Sequence, residues 1–325
     1  MNLMPVSLQK FLRPAINKIP AAIVKAPMLA TALMLIPLFI SERGFTEPDK
    51  RIAYYPAPES QSDARATYPM ATLELCSDYH NNRIEFRPSP LKTQQARSIL
   101  LLARGSDIDV LWTVPTQERM QHIKLVPIPI DRGLLGWRLL LIHQKDRDKF
   151  AKIQSVQALQ QYIGGQGHDW PDLTVLRHNQ LTVSASSTYE GLFSMLSLDH
   201  IDYFPRSISE IWPEAQAHQH QSIIIEPTLA LKYRQGLYFF VNHQDEQLYR
   251  ALTECLHSAA RNGDLKKLFY GYYYSDITRA NLHQRTVLEL SVPENIQHTP
   301  LPPSYWFSVE ELTPNKNTGQ NANPL

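Results

Sequence analysis

The residues with the strongest potential for chemistry lie where a short apolar strand runs into a helix. The stretch 108–119, IDVLWTVPTQER, ends at Arg119, near the start of a helix-like segment. In open α/β sheets, ligands bind at the carboxyl ends of strands, where helix N-termini offer free N–H groups to anions. An arginine adds two parallel donors for a carboxylate. We therefore predict that Arg119 binds an anionic group, with Thr116 as the helix cap and an additional donor. Trp112 either stacks on the ligand or packs into the face of its lobe.

A second group of polar and aromatic residues follows Gly167 in a predicted turn into a helix. Asp169 can cap that helix, and Pro171 suits its first turn, so neither residue requires a ligand. Capping explains His168 and Trp170 less well, and both are predicted to face the same cleft as Arg119.

Four further candidates lie in the second half of the chain. Arg206 comes just after the predicted strand 202–204, so it either binds the ligand or bridges two lobes. Tyr189 and Glu190 begin a predicted helix and are candidate ligand contacts. Glu226 either accepts a ligand amine or forms a salt bridge at a hinge.

Composition excludes several classes of protein. The 325 residues suffice for two lobes, and a net charge of +1 without a basic stripe argues against a nucleic-acid surface. Only 12 Gly against 24 Pro argues against a glycine-rich phosphate-binding enzyme. Nucleophile-elbow, P-loop and H-E-x-x-H motifs are missing from the sequence, and the histidines show no metal-ligand spacing. We predict a protein that is not an enzyme and uses no metal or other cofactor.

The two cysteines, Cys76 and Cys255, cannot build a disulfide framework or a zinc site alone. They either form one disulfide in an oxidising compartment or remain two buried thiols. Two buried thiols are the interpretation that the sequence favours.

The first 45 residues form a separate unit in the sequence. Residues 1–25 carry four basic side chains and no acid, and residues 26–40 are apolar except for one threonine. This pattern is typical of a secretory signal, since the apolar run is shorter than the roughly 20 residues that span a bilayer. No clear cleavage site follows, so an uncleaved membrane anchor that places the rest of the chain outside also stays open. A third interpretation is a buried core helix.

From about residue 50, short apolar strands alternate with helical segments, which predicts an α/β fold. Four stretches, in this order, resemble type II periplasmic solute-binding proteins of the polar-amino-acid-binding class. They are the segment 106–146 with its IDV strand and T-x-x-R turn, GGQGHDWPD at 164–172, the helix and DY strand at 187–212, and the returning segment 230–273.

The resemblance implies two α/β lobes, each a mixed sheet flanked by helices, joined by two crossing strands that close as a hinge over a solute. The predicted bounds are 46–145 and 232–307 for lobe 1, 146–231 for lobe 2, and 308–325 for a disordered tail.

The resemblance also implies an exported, monomeric solute-binding protein in the periplasm, either secreted or anchored by its N-terminal segment. Its solute would be an anionic or zwitterionic small molecule, such as an amino acid or organic acid, delivered to the membrane permease of an ABC-type transporter or to a sensor. A membrane-tethered sensory or interaction module with this fold is the alternative. A periplasmic enzyme on the same fold is less favoured.

Overall fold

The computed structural model describes residues 50–58, 64–296 and 300–312. The chain divides into two units, Met1–Thr46 and Glu47–Leu325, and every described residue belongs to the second. The predicted signal or anchor therefore lies outside the described residues. Within the described part, no helix combines the length and apolar character needed to span a membrane.

Strands and helices alternate along the described chain. The strands are β1 (Arg51–Tyr55), β2 (Ile84–Pro88), β3 (Val110–Thr113), β4 (Lys124–Leu125), β5 (Trp137–His143), β6 (Ile163–Gly167), β7 (Thr182–Ser186), β8 (Tyr203–Ser207), β9 (Ile223–Ile225), β10 (Leu229–Lys232), β11 (Tyr238–Val241) and β12 (Thr286–Glu289). The helices are α1 (Thr67–Tyr79), α2 (Gln95–Arg104), α3 (Gln117–His122), α4 (Arg147–Phe150), α5 (Val156–Leu159), α6 (Pro171–His178), α7 (Tyr189–Ser197), α8 (Ile211–Ala217), α9 (Glu246–Asn262) and α10 (Asp264–Ala280).

The strands form two groups, which we call the first and the second lobe. The first lobe contains the parallel pair β1–β2 and the antiparallel sheet β3–β11–β4, packed by α1, α2, α9 and α10. The second lobe contains a seven-stranded mixed sheet in the order β12–β10–β5–β8–β6–β7, with β9 also paired to β5 and helices α6, α7 and α8 against it. Strand β12 joins this larger sheet through β10, and β5 lies inside it, although both strands lie in segments predicted for lobe 1.

Strand β5, WRLLLIH, is buried over its first six residues because it lies inside the larger sheet. A continuous apolar run is the pattern expected for a strand that is covered on both faces. The one charged residue in that run, Arg138, is consequently forced into the protein interior.

Two crossing segments, 130–137 and 232–238, connect the lobes and touch at Gly136. The Tyr233 backbone N–H donates to the Gly136 carbonyl over 3.1 Å, and a Cβ at position 136 would collide with the Tyr233 carbonyl oxygen. Residues 300–312 lie against the same place, where Trp306 packs on Gly133 and Glu311 pairs with Arg132 at 2.8 Å. Residues 309–312 form a 3-10 turn, although the predicted disordered tail began at 308.

Substituting Gly136 by alanine is expected to lower the free energy of unfolding by about 1–3 kcal/mol, the cost typical of overpacking. Gly271 in α10 is the matched control, since no atom lies within 4 Å of a Cβ placed there. Gly271→Ala should stabilise the protein by about 0.5–1 kcal/mol through higher helix propensity. Urea denaturation of both variants measures the contrast, and equal effects would contradict close packing at the crossing.

Cys76 in α1 and Cys255 in α9 form a disulfide, with their Cα atoms 5.4 Å apart. The favoured interpretation of two free thiols was therefore wrong. Both cysteines are buried on helix faces that pack against each other, and the sequence carries no signal for that pairing across 179 positions.

Candidate functional site

A cavity of about 150 Å³ opens between the two lobes. From the first lobe it is lined by Trp112 and Thr113 at the carboxyl end of β3, and from the second lobe by Trp170, Asp172 and Arg206. The crossing segments contribute further lining residues. The cavity therefore lies where strand ends of both lobes meet, as is usual for ligand sites in α/β proteins.

Buried charge pairs form one wall of this cavity. The Arg138 side chain donates from Nη2 to Asp172 and from Nε to the Tyr233 hydroxyl at 3.0 Å, and that hydroxyl also donates to Asp172. Charges that are removed from water are tolerated when they are paired and hydrogen-bonded in this way. The network connects the second lobe to the crossing segment that carries Tyr233.

Arg206 also lines the cavity and is 1% exposed. Its Nε and Nη2 donate to the two carboxylate oxygens of Glu214 at 2.7 and 2.6 Å, and Nη2 lies 3.1 Å from Glu210. Burial raises the pKa of Glu214, while Arg206 opposes that shift. Within the described chain, Nη1 of Arg206 makes no hydrogen bond. Because a guanidinium is planar and its Nε–Nη2 edge faces Glu214, the Nη1 group lies on the side away from that carboxylate.

Aromatic rings surround this guanidinium. The Arg206 Cζ atom lies 5.0 Å from the Trp170 ring centre and 4.9 Å from that of Phe204, distances at which a cation attracts a π face. The Arg65 guanidinium, from the first lobe, lies 5.6 Å from the same indole ring. Trp170 therefore packs against arginines from both lobes.

Asp131 ties the two crossing segments together beside the cavity. Its carboxylate accepts N–H groups from Gly133 and Leu135 on one segment and from Leu237 on the other, at 2.8–3.0 Å. Burial nevertheless raises its pKa to about 6, compared with about 3.9 in an unfolded chain.

This pKa shift predicts a specific pH dependence of stability. The folded-state pKa of Asp131 is the higher one, so the folded protein holds the proton more tightly than the unfolded chain. The free energy of unfolding should then fall by about 2 kcal/mol through this group as pH rises from about 4 to 7. Denaturation of the wild type and Asp131→Asn from pH 4 to 7 tests this. A constant difference between the two proteins would contradict it.

The predicted ligand residues fall into two sets. Trp112, Trp170 and Arg206 line the cavity. Arg119 lies outside that lining and borders a separate pocket of about 500 Å³ together with Thr116, His168 and Trp170. Its guanidinium donates to Thr113 Oγ1, Gln95 Oε1 (2.6 Å), and the carbonyls of Val114 (3.2 Å) and Asp169 (2.9 Å). Burial lowers the Arg119 pKa to about 10.

The remaining predicted residues lie outside the cavity lining. Thr116 caps α3, as predicted, by accepting the Arg119 N–H at 3.1 Å. Tyr189 is buried and donates to Glu214 at 2.8 Å. Glu190 and His168 are exposed, the first 3.2 Å from His218 and the second beside the Ser186 carbonyl.

Glu226 is fully buried at the turn between β9 and β10, away from the cavity lining. Its carboxylate accepts the N–H groups of Thr228 and Leu229, and Arg285 lies 3.8 Å away. These contacts fit a structural role for Glu226 in the turn and in an ion pair with Arg285, and none of them involves the cavity.

Five charged residues of the site were not predicted from the sequence, namely Arg65, Asp131, Arg138, Asp172 and Glu210. For Arg138 a signal was available, because a charge inside an apolar strand needs a buried partner. Asp172 and Glu210 carried none, since acids near helix starts are common on surfaces.

No family model and no curated protein matches the chain. Among solved structures, it is similar to an ancestral arginine-binding protein bound to arginine, with 12% identity, a TM-score of 0.52, and coverage of 69% of this chain and 99% of the other. It is also similar to the GluR0 ligand-binding core in complex with L-glutamate (11%, 0.52, 69% and 97%). A third is an arginine-specific periplasmic binding protein from Salmonella typhimurium (13%, 0.50, 69% and 99%).

These similarities establish the fold. The chain has the periplasmic-binding-protein-like type II fold, and the predicted α/β architecture of mixed sheets flanked by helices is confirmed. At 11–13% identity the similarity extends to the fold alone.

Proposed function

We propose that this protein captures a small zwitterionic or anionic molecule, an amino acid or an organic acid, in the cavity between its lobes. The observation that carries the proposal is the cavity itself, with strand ends of both lobes and the buried Arg206 in its wall. Its volume of about 150 Å³ equals that of engineered protein cavities that bind benzene, and its open side gives a longer ligand room to extend.

Charge balance in the lining favours a zwitterion over a dicarboxylate. The basic lining residues are Arg65, Arg138 and Arg206, and the acidic ones are Asp131, Asp172 and Glu210. Because these three positive and three negative charges balance, a second carboxylate on the ligand would add an uncompensated negative charge beside the acids. An ammonium group would instead be attracted to those acids.

Within this proposal, Arg206 donates from Nη1 to the ligand carboxylate, while Trp112 and Trp170 pack against its carbon atoms. Arg119 positions Thr113 and Gln95, which line the same cavity. Thr116 supports Arg119, and Tyr189 supports Glu214, so both act on the site through another residue. His168, Glu190 and Glu226 take no direct part.

We further propose that the protein works outside the cytoplasm, where a permease of the ABC type or a sensor reads the closed form. The Cys76–Cys255 disulfide supports export, because disulfides persist in oxidising compartments such as the periplasm. The basic and apolar start of the sequence supports either a signal peptide or a membrane anchor.

A thermal-shift screen of the full chain against amino acids, organic acids and polyamines tests the proposal. A solute at 100 times its Kd stabilises the folded state by about 2.7 kcal/mol, which raises the melting temperature by several degrees. Trp112→Ala should abolish that shift, and Arg119→Ala should weaken it. Trp212→Ala is the matched control, since Trp212 does not line the cavity. No shift with any compound in a folded sample would contradict solute capture.

A further inference from the structure

Among the described residues, three of the hydrogen bonds between the two lobes lie around Asp169 and Ser187. Gln94 Nε2 donates to the Ser187 carbonyl at 2.9 Å, and the Ala96 N–H donates to Asp169 Oδ2 at 3.0 Å. Arg119 Nη2 donates to the Asp169 carbonyl at 2.9 Å. Asp169 of the second lobe thus receives two of the three bonds, both from the first lobe.

The two donors that meet Asp169 are suited to an anion. Ala96 is the second residue of α2, so its N–H has no acceptor within the helix, and the positive end of the helix dipole lies there. Arg119 is 8% exposed and carries a full positive charge at neutral pH even though burial lowers its pKa to about 10. A carboxylate is the natural partner for such a pair of donors.

Asp169 meets the two donors with different groups. Its carboxylate accepts the Ala96 N–H, and its main-chain carbonyl accepts Arg119 Nη2. It was expected to cap its own helix, yet α6 has Trp170 as its N-cap residue, without a side-chain cap bond. The Asp169 side chain instead reaches across to α2 and is 14% exposed. Its His168 neighbour lies 3.9 Å away, too far for a hydrogen bond.

We propose that Asp169 is an intramolecular clasp that holds the two lobes together. Its carboxylate accepts the Ala96 N–H, and its main-chain carbonyl accepts the Arg119 guanidinium. The proposal rests on the proposed function, because lobe closure matters only if the cavity between the lobes holds a solute. The clasp shifts the open–closed equilibrium toward the closed form before any solute enters. Because Arg119 already donates to Asp169, the Nη1 group of Arg206 is the donor that remains for the anionic group of the solute.

Hydrogen exchange at Ala96 and small-angle X-ray scattering test the clasp on the full chain without added solute. Asp169→Ala should raise the exchange rate of the Ala96 amide roughly tenfold, as expected for one lost charge-assisted bond, and should enlarge the radius of gyration. Asp169→Asn keeps an acceptor oxygen, so its exchange rate should be intermediate. Asp199→Ala, at an exposed acid of the second lobe that pairs with Lys145, should match the wild type.

Unchanged Ala96 exchange in Asp169→Ala would overturn the clasp, and so would an unchanged radius of gyration. Near-UV circular dichroism of each variant verifies that tertiary packing is retained. Because no solute is present, a negative thermal-shift screen leaves this result unaffected, and a failed clasp leaves solute binding open to its own test.

Discussion

Replacing Cys76 and Cys255 together by alanine is expected to lower the free energy of unfolding by about 2–5 kcal/mol. The bridge joins α1 to α9 across 179 positions of sequence. Closing a loop of that length removes much conformational freedom from the unfolded chain, on the order of 5 kcal/mol in the chain-entropy treatment. Guanidinium denaturation of the wild type and the double variant measures the difference.

Reductant provides the control for this experiment. Dithiothreitol should lower the melting temperature of the wild type toward that of the double variant, and it should leave the variant unchanged. If the melting temperature of the wild type does not change when the bond is fully reduced, the disulfide contributes little to stability. The same pair of measurements reports whether the protein depends on an oxidising compartment.

Substituting Glu214 by alanine should have an effect of similar size, about 3–5 kcal/mol of lost stability. Glu214 accepts both the Nε and Nη2 donors of Arg206 and the Tyr189 hydroxyl, and it is 3% exposed. Without it, the buried guanidinium retains, among the described residues, only Glu210 as a charged partner. Urea denaturation at pH 7 gives the free energy of unfolding.

The matched control is Glu289→Ala, which removes an acid from an ion pair with Lys232 at a side chain that is 72% exposed. Exposed pairs contribute little because water screens both charges, so this variant should melt close to the wild type. Glu214→Gln keeps the shape of the side chain and should fall between the wild type and Glu214→Ala. Equal losses in Glu214→Ala and Glu289→Ala would disprove the importance of burial at this pair.

Much of the fold could be predicted because local patterns set it. The apolar run of β5, the alternation of strands with helices, and the Thr116 cap of α3 are properties of neighbouring residues. Arg206 could be selected because it lies near the carboxyl end of a predicted strand, and that position carries ligand contacts in α/β sheets. These features depend only on the periodicity of apolar residues and on the chemistry of strand and helix ends.

The partners of the site residues could not be predicted in the same way. Arg119 was expected to meet a solute, yet its nearest acceptors belong to Thr113, Gln95 and Asp169. Asp169 was expected to cap α6, and it binds the start of α2 across the lobes. Both outcomes depend on how two distant segments are oriented, which no local pattern encodes.

The sequence by itself determined the element types, the α/β class and the positions of charged residues at strand ends, because backbone periodicity and capping act over a few residues. Only the tertiary structure decided that Cys76 bonds to Cys255, that Arg206 donates two hydrogen bonds to Glu214, and that Asp131 joins the two crossing segments by hydrogen bonds. Those contacts join residues brought together by packing, and their strength comes from burial, which exists only once both lobes have folded.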